Sequence, residues 1–461
     1  MRPVIVINVP GLTPNLLGPA MPRLSRLAAE VGMTPLRALL PAVTCTAQST
    51  MLTGLPPAEH GIVANGWYFR DLGETMLWRQ SNRLVRGEKI WEAAKRRDPA
   101  FSCANLFWWY AMHTSADISV TPRPIYLADG RKLPDCYTKP AGLHDALTRQ
   151  FGVFPLFRFW GPATSIESSR WIADAALYVR EHHQPTLTLV YLPHLDYDLQ
   201  RLGPSDPAIA SALSEVDALC GELIDDARRD GATVIVVSEY GITAVSRPIH
   251  INRALRQAGL LRVRDERGRE QFDPSASIAF AMSDHQIAHV YVHDASRVAE
   301  VAALLRALPG VERVLNADGK RAEGLDHERS GELVVVAAAD AWFTWYYWLD
   351  DAKAPDFART VDIHRKPGYD PVELFIDPAF RFPRIAVATR LFRRALGFRT
   401  PLDVIPLDAS LVKGSHGRPT DDPRDGPLVI GAGREPLADG MIPMAAIKDI
   451  VLQHLFEGAS A

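Results

Sequence analysis

Continuous apolar runs along the chain predict the central strands of a sheet. Residues 4–7, 187–192 and 233–237 are rich in β-branched and other apolar side chains. Such runs are typical of strands that are buried on both faces of a parallel sheet. Helical patterns separate them, for example over 173–181 and 208–229. This alternation predicts an α/β fold with a doubly wound, mostly parallel sheet flanked by helices.

Polar residues follow each of these runs directly. Asn8 ends the first run, the segment 194–196 follows the second, and Ser238-Glu239 follows the third. Because the carboxyl ends of parallel strands meet at one edge of a sheet, that edge is the expected place for a functional site.

Two stretches interrupt the core pattern and predict inserted regions. The stretch 66–160 is rich in Pro, Trp and Arg, and we interpret it as a cap-like insertion. Within 266–385, two strand patterns (287–292 and 332–337) and one helical pattern (298–308) predict a small α+β insert. The predicted catalytic core therefore consists of 1–265 and 386–461.

Composition narrows the function classes. The 461 residues are 47% hydrophobic and 23% charged, with a net charge of −3 and no basic tail, so we expect no nucleic-acid polymer as a partner. The sequence contains no run of 18 apolar residues, so it predicts no membrane span, and we expect no membrane partner. The four cysteines are widely spaced, which indicates reduced thiols and a cytoplasmic location. The oligomeric state stays open.

Thr44 follows a turn at Pro41 and precedes a helical pattern over 46–52. A helix N-terminus favours an anion such as phosphate. An ordinary N-cap threonine is the alternative on local chemistry alone.

The next motif carries a family resemblance. Residues 53–65 read Thr-Gly-Leu-Pro-Pro-Ala-Glu-His-Gly-Ile-Val-Ala-Asn. Together with Pro41 and Thr44, this stretch resembles the type I phosphodiesterase/nucleotide pyrophosphatase family of the alkaline phosphatase superfamily. The resemblance implies that Thr44 is the nucleophile and that Asn65 holds the phosphoryl oxygens. It also implies covalent catalysis, in which metal ions activate the Thr hydroxyl.

The resemblance also implies a set of metal ligands, with several departures from the family pattern. The implied ligands are Asn8, Thr44, Asp196, Glu239 and His416, with Gln200 and Tyr240 at two positions where the family has His and with His194 as an unmatched extra. Asn8 and Glu239 stand where the family has Asp. The resemblance implies zinc, whereas a set this rich in oxygen better suits Mn²⁺, Mg²⁺ or Ca²⁺.

Further residues are candidates for substrate binding beside Asn65. His285 and His289 lie four residues apart, with Asp284 beside the first. They form either part of a site or a structural His pair. His364 and Lys366 lie in a loop with Arg365, where cations could hold a phosphate or could simply face solvent. We predict His285, His364 and Lys366 as substrate-binding residues.

Two aromatic clusters, 107–110 and 342–348, are either core packing or the apolar wall of a pocket. The sequence thus predicts a metal-dependent phosphoric ester hydrolase that acts on a small-molecule phosphoester through a phospho-threonine intermediate. The alternatives are a catalytically degenerate binding protein on the same scaffold and a phosphoryl transferase or phosphomutase.

Overall fold

The computed structural model describes residues 1–363 and 365–457. Its strands are, in chain order, β1 Val4–Asn8, β2 Met33–Arg37, β3 Gly66–Phe69, β4 Glu74–Leu77, β5 Cys103–Leu106, β6 Ile118–Pro122, β7 Ile125–Tyr126, β8 Lys132–Leu133, β9 Cys136–Lys139, β10 Leu187–Tyr191, β11 Thr233–Val237, β12 Thr243–Ala244, β13 Arg247–Ile249, β14 Arg262–Glu266, β15 Arg269–Asp273, β16 Ala279–Asp284, β17 Ile287–Val292, β18 Val311–Leu315, β19 Leu333–Ala337, β20 Ala341–Phe343, β21 Gly414–Ser415, β22 Leu428–Ile430 and β23 Ile442–Pro443. Its α-helices are α1 Pro22–Val31, α2 Thr44–Thr53, α3 Pro57–His60, α4 Ile90–Arg97, α5 Gly142–Phe151, α6 Ile166–His183, α7 His194–Leu202, α8 Ile209–Arg229, α9 Ile251–Gln257, α10 Val298–Arg306, α11 Ala317–Ala322, α12 Pro383–Ala395 and α13 Ile447–Phe456.

A nine-stranded sheet forms the centre of the fold, in the order β23-β2-β22-β11-β1-β10-β5-β6-β9. Strand β1 pairs in parallel with β10 and β11, and the parallel pairing continues through β5 to β6. Strands β22 and β9 are antiparallel to their neighbours. The mostly parallel α/β sheet predicted from the sequence is thereby confirmed.

The three strands predicted from apolar runs lie side by side at the centre of this sheet. All five residues of β1 and of β10 are buried. Asn8 stands opposite both Tyr191 and Val237 in the strand register. The polar segments that follow the three strands therefore meet at one edge, as expected.

Two groups of helices cover the sheet. One group contains α1, α6, α7 and α8, which pack on one another and on the central strands. The other contains α2, α4 and α13, with α13 also packed on β1. Two separate helical layers around one sheet are what the doubly wound class requires.

The structure corrects the interpretation of 66–160 as a cap-like insertion. This stretch contains β5, β6 and β9, which are strands of the central sheet. They are short and mix polar with apolar residues, as in Ile-Ser-Val-Thr-Pro of β6, so they show no apolar run. The hairpins β3–β4 and β7–β8 do stand outside that sheet.

A second, four-stranded antiparallel sheet lies in the predicted α+β insert. Its order is β16-β17-β19-β18, and α10 and α11 pack against it. The strands expected near 287–292 and 332–337 and the helix expected near 298–308 are confirmed. The same hydrophobic core cluster includes residues of both sheets, and the domain limits 1–265 with 386–461 and 266–385 stay a prediction.

None of the helices in the described residues has the length and apolar composition that a membrane crossing requires. All four cysteines are buried and unpaired, which agrees with the reduced thiols expected from their spacing.

Candidate active site

Thr44 is the first residue of α2 and lines a pocket at the carboxyl edge of the central sheet. The N-cap position belongs to Val43, whose backbone is extended. The alternative interpretation of Thr44 as an N-cap is therefore wrong. Its hydroxyl instead lies 3.0 Å from the Tyr240 hydroxyl, and the helix N-terminus behind it favours negative charge in the pocket.

Tyr240 links Thr44 to Asp196. The phenol donates a hydrogen bond to Asp196 Oδ1 at 3.2 Å. Because a phenol has one proton, Thr44 is then the donor in the contact with Tyr240. The Tyr240 ring stacks on His416 with 3.7 Å between centroids and 2° between planes, which holds the phenol in place.

Asp196 and Gln200 lie one turn apart on α7, and Gln200 Nε2 donates to Asp196 Oδ2 at 2.7 Å. Both carboxyl oxygens of Asp196 are therefore hydrogen-bonded. Burial raises the pKa of Asp196 to about 7, because the surrounding protein disfavours the charged form.

Glu239 is the second buried carboxyl of the pocket region. Asn8 Nδ2 and Gln48 Nε2 each donate to Glu239 Oε1 at 2.6 Å. Burial raises the pKa of Glu239 to about 8. Sequence analysis missed Gln48, although its position four residues after Thr44 on the same helix places both on one face.

Asn65 is the centre of a separate hydrogen-bond network. Its Oδ1 accepts from the Cys45 N–H at 2.9 Å, and its Nδ2 donates to Asp284 Oδ1 and to the Tyr369 hydroxyl, each at 3.1 Å. The Asn65 amide hydrogens are thus directed at protein acceptors, and a phosphoryl oxygen would have to displace one of them. Asp284 and Tyr369 were missed because nothing in the sequence relates them to position 65.

Two neutral histidines face each other beside Tyr240. His416 Nδ1 donates to the Ala42 carbonyl oxygen at 2.9 Å, which leaves Nε2 with its lone pair. Burial lowers the pKa of His416 to about 3 and the pKa of His285 well below its usual value. The ring centroids of the two histidines are 3.9 Å apart. His285 thus lies in the site, whereas His289 contacts the Val63 carbonyl and the Gly331 N–H elsewhere.

Two predicted residues are corrected by the structure. His194 turns away from the pocket and contacts Glu215, with 2.9 Å between Nε2 and Oε2. It lies two residues before Asp196 on α7, and residues two apart do not share a helix face. Lys366 is buried and pairs with Glu373 at 2.5 Å, and it is not among the residues that line the pocket. His364 lies outside the described residues.

Aromatic side chains form most of the remaining pocket wall. The wall consists of Trp78, Trp109, Phe159, Trp160, Tyr191 and Tyr197, with Ile363. Of the two predicted aromatic clusters, 107–110 contributes Trp109 to this wall, and 342–348 is core packing. Among the described lining residues there is no lysine or arginine.

Buried polar atoms test whether the predicted ligand set fits a metal ion. Asn8 Oδ1, Gln200 Oε1 and Glu239 Oε2 are buried acceptors without a hydrogen-bond partner. Such oxygens suit an oxygen-preferring divalent cation. In the described part of the chain, the compact group of three His, Cys, Asp or Glu ligands is Asp135, Cys136 and His144, which lies elsewhere. By its chemistry, this oxygen-rich residue set suits a hard cation better than a zinc pair, which needs a dense His and carboxylate set.

The fold and site together define an α/β protein with a threonine at a helix N-terminus, beside buried carboxyls at the carboxyl edge of a mostly parallel sheet. The chain belongs to the type I phosphodiesterase/nucleotide pyrophosphatase family, whose sequence model matches residues 4–370. This membership confirms the family resemblance predicted from the sequence. Members of the family use divalent metals.

Individual relatives are distant. An uncharacterized pyrophosphatase/phosphodiesterase of Schizosaccharomyces pombe is 24% identical over 243 residues, which cover 51% of this chain and 42% of that protein. The chain thus matches about two fifths of that relative's length.

Two solved structures share the fold. Phosphonoacetate hydrolase of Sinorhizobium meliloti, in complex with phosphonoformate, superposes with a TM-score of 0.62 at 17% identity, covering 98% of this chain and 95% of that one. An inactive form of murine ectonucleotide pyrophosphatase/phosphodiesterase 5, in complex with AMP, superposes with a TM-score of 0.58 at 15% identity. The match covers 99% of this chain and 95% of that one.

Proposed function

We propose that this protein hydrolyses a phosphoester bond of a small organic molecule through Thr44, by way of a phospho-threonine intermediate. The observation that carries the proposal is the hydrogen-bond chain from Thr44 through Tyr240 to Asp196. This chain gives the hydroxyl proton of the nucleophile a route to a buried carboxylate.

In the first step, Thr44 Oγ1 attacks phosphorus, the Oγ1–P bond forms, and the bond from phosphorus to the leaving oxygen breaks. The Thr44 proton passes to the Tyr240 oxygen as the Tyr240 proton passes to Asp196 Oδ1. The leaving oxygen takes its proton from solvent. In the second step, a water molecule attacks phosphorus and loses a proton to solvent, the Oγ1–P bond breaks, and Thr44 recovers its proton along the same chain.

Other residues of the chain position the reactants. The N-terminus of α2 places partial positive charge behind the phosphoryl group. Asn65 fixes the start of α2 through the Cys45 N–H. A divalent cation bound through the unpaired oxygens of Asn8, Gln200 and Glu239 would neutralise phosphoryl charge and lower the pKa of the Thr44 hydroxyl.

The pocket wall favours a small substrate with an apolar or aromatic substituent. Trp78, Trp109 and Trp160 line the pocket, and none of its described lining residues is a lysine or arginine that could hold a second phosphate. Aromatic walls bind flat or apolar groups through area burial and stacking.

The test compares three variants on p-nitrophenyl phosphate and bis(p-nitrophenyl) phosphate, with Mg²⁺, Mn²⁺ or Zn²⁺ added. Thr44→Ala should abolish turnover, and Thr44→Ser should retain part of it. Thr46→Ala is the control, because Thr46 is buried on the same helix but does not line the pocket. Mass spectrometry of acid-quenched enzyme should find the added phosphoryl group on the peptide that contains Thr44. Full activity of Thr44→Ala would overturn the proposal.

Two observations favour a second candidate, a binding protein on the same scaffold. The Asn65 amide is already engaged by Asp284 and Tyr369, and the ligand set is altered. Such a protein would bind phosphate esters in calorimetry and would show no turnover with any of the added metal ions.

A phosphoryl transferase is a different alternative. It would release a product that carries no oxygen from isotopically labelled water.

A further inference from the structure

Helix α12, Pro383–Ala395, lies on the surface with its apolar side turned to solvent. The helix contains no buried residue. Ile385 is 63% exposed, Phe392 64% and Leu396, just after the helix, 59%. Surface helices of globular proteins normally turn such residues inward. The exposed apolar side therefore has no partner in the described part of the chain.

The exposed side is a regular stripe. Ile385, Ala388, Phe392 and Leu396 follow one another at spacings of three, four and four residues, so they share one helix face. The partly covered residues Ala386, Val387 and Arg390 lie on the opposite face, against the protein. The amphipathic pattern of α12 is thus complete, but its orientation is inverted relative to a core-facing helix.

Two exposed aromatic side chains flank the helix. Phe382 precedes the helix and Phe398 follows it, and each is 59% exposed. Several large exposed apolar side chains in one short segment indicate an interaction site.

The same segment is strongly basic. Residues 379–400 contain no acidic residue, in a chain whose net charge is −3. Its arginines are Arg381, Arg384, Arg390, Arg393, Arg394 and Arg399. Among the acidic residues described, Asp403 is the one that forms an ion pair with this set, through Arg390.

The arginines flank the stripe. At 100° per residue, Arg384 and Arg393 lie roughly 90° to either side of the line through Ile385 and Phe392. A second copy of this chain would bring two such arginine rows together, which is unfavourable for like charges. An anionic surface with an apolar interior accommodates both the stripe and its flanks.

We propose that α12, with its flanking residues 381–399, binds the surface of an anionic lipid membrane. Phe382, Ile385, Phe392, Leu396 and Phe398 would enter the boundary between headgroups and acyl chains, and the arginines would contact lipid phosphates. The helix has 13 residues, which is about 20 Å at 1.5 Å per residue and too short for a hydrocarbon core of about 30 Å. It therefore lies in the interface plane, and this inference is independent of the reaction at Thr44.

The experiment is co-sedimentation of the full chain with vesicles of phosphatidylcholine, with and without phosphatidylserine. Wild type should bind the phosphatidylserine vesicles and bind phosphatidylcholine alone at least about 10-fold more weakly, and added salt should weaken the binding. Phe392→Ser and Ile385→Ser should each lower the partition coefficient about 10-fold. The double variant Arg384→Gln/Arg393→Gln should lower the partition coefficient about as much as each Ser variant, but only on the vesicles that contain phosphatidylserine.

Leu72→Ser is the matched control, since Leu72 is 62% exposed elsewhere on the chain. Because all the substituted side chains are exposed, circular dichroism should show unchanged folding. The proposal is overturned if wild type stays in the supernatant with anionic vesicles, or if Leu72→Ser weakens binding as much as Phe392→Ser. It is also overturned if sedimentation velocity shows a dimer that Phe392→Ser dissociates, which would assign the stripe to a second copy.

Discussion

Tyr240→Phe tests the hydrogen-bond chain that the proposed reaction uses. The substitution removes one hydroxyl and keeps the ring that stacks on His416 at 3.7 Å. It deletes the contact with Thr44 at 3.0 Å and the hydrogen bond to Asp196 at 3.2 Å. Asp196 keeps Gln200 as its remaining side-chain donor.

The expected effect follows from these two contacts. A hydrogen bond between neutral groups contributes about 1 kcal/mol, and one to a charged group about 1.5–3 kcal/mol. If both contacts act in the transition state, the barrier rises by about 2–4 kcal/mol. Since about 1.4 kcal/mol is tenfold in rate, kcat should fall roughly 30- to 1,000-fold.

The assay is steady-state hydrolysis of the active p-nitrophenyl ester, with urea unfolding of each variant. Tyr197→Phe makes the same chemical change at another tyrosine that lines the pocket and should change kcat by no more than about threefold. Folded Tyr240→Phe with a kcat within about threefold of wild type would refute the route from Thr44 to Asp196. An equal loss in both variants would show that pocket packing, and not the hydroxyl at 240, controls the rate.

Three further predictions concern the metal and the buried charges. Asn8→Asp places a second carboxylate beside Glu239, so in EDTA the variant should unfold at a lower temperature than wild type. Added Mn²⁺ should raise the unfolding temperature of the variant more than that of wild type. An equal rise for both proteins in thermal denaturation would contradict cation binding by these residues. Lys366→Met leaves Glu373 buried without its partner and should destabilise the fold by about 3–5 kcal/mol in urea titrations, with Lys366→Met/Glu373→Gln recovering part of the loss. Burial raises the pKa of Asp370 to about 7, so the folded state binds the carboxyl proton more tightly than the unfolded state. The protonated carboxyl therefore adds to the free energy of unfolding below pH 4, and this contribution is lost as the pH rises towards 7. Asp370→Asn should reduce the decrease of the free energy of unfolding with pH by up to about 1.4 kcal/mol per pH unit between pH 4 and 7. If urea titrations from pH 4 to 8 show the same pH dependence for the variant and wild type, another group causes it.

Much of the site could be predicted from sequence because its chemistry follows secondary structure closely. Asn8 is the last residue of buried strand β1, and Glu239 lies two residues after β11. Parallel pairing brings the ends of those two strands together. Thr44 and Asn65 belong to one continuous motif, so their separation in the sequence fixes their relation to α2. Gln200 shares a face with Asp196 because one helical turn separates them.

Residues that join the site through distant contacts could not be predicted in this way. Asp284 and Tyr369 reach Asn65 from 219 and 304 positions away in the chain, and no local pattern encodes such a contact. Lys366 was predicted as a phosphate ligand from its loop composition, but the fold buries it against Glu373. Local composition describes what a side chain is able to bind and not which neighbour packing provides.

The sequence by itself determined the class of fold, the central strands and the family, because the spacing of apolar residues and of motif residues is a local property. It also predicted Thr44 as the nucleophile that the proposed reaction uses. Tertiary structure alone decided that Tyr240 joins Thr44 to Asp196 and that the Asn65 amide faces Asp284 and Tyr369. It also decided that the apolar stripe of α12 faces solvent. Helical period specifies that a helix has an apolar side, whereas the packing of the whole chain determines whether that side meets the core, a partner or a membrane.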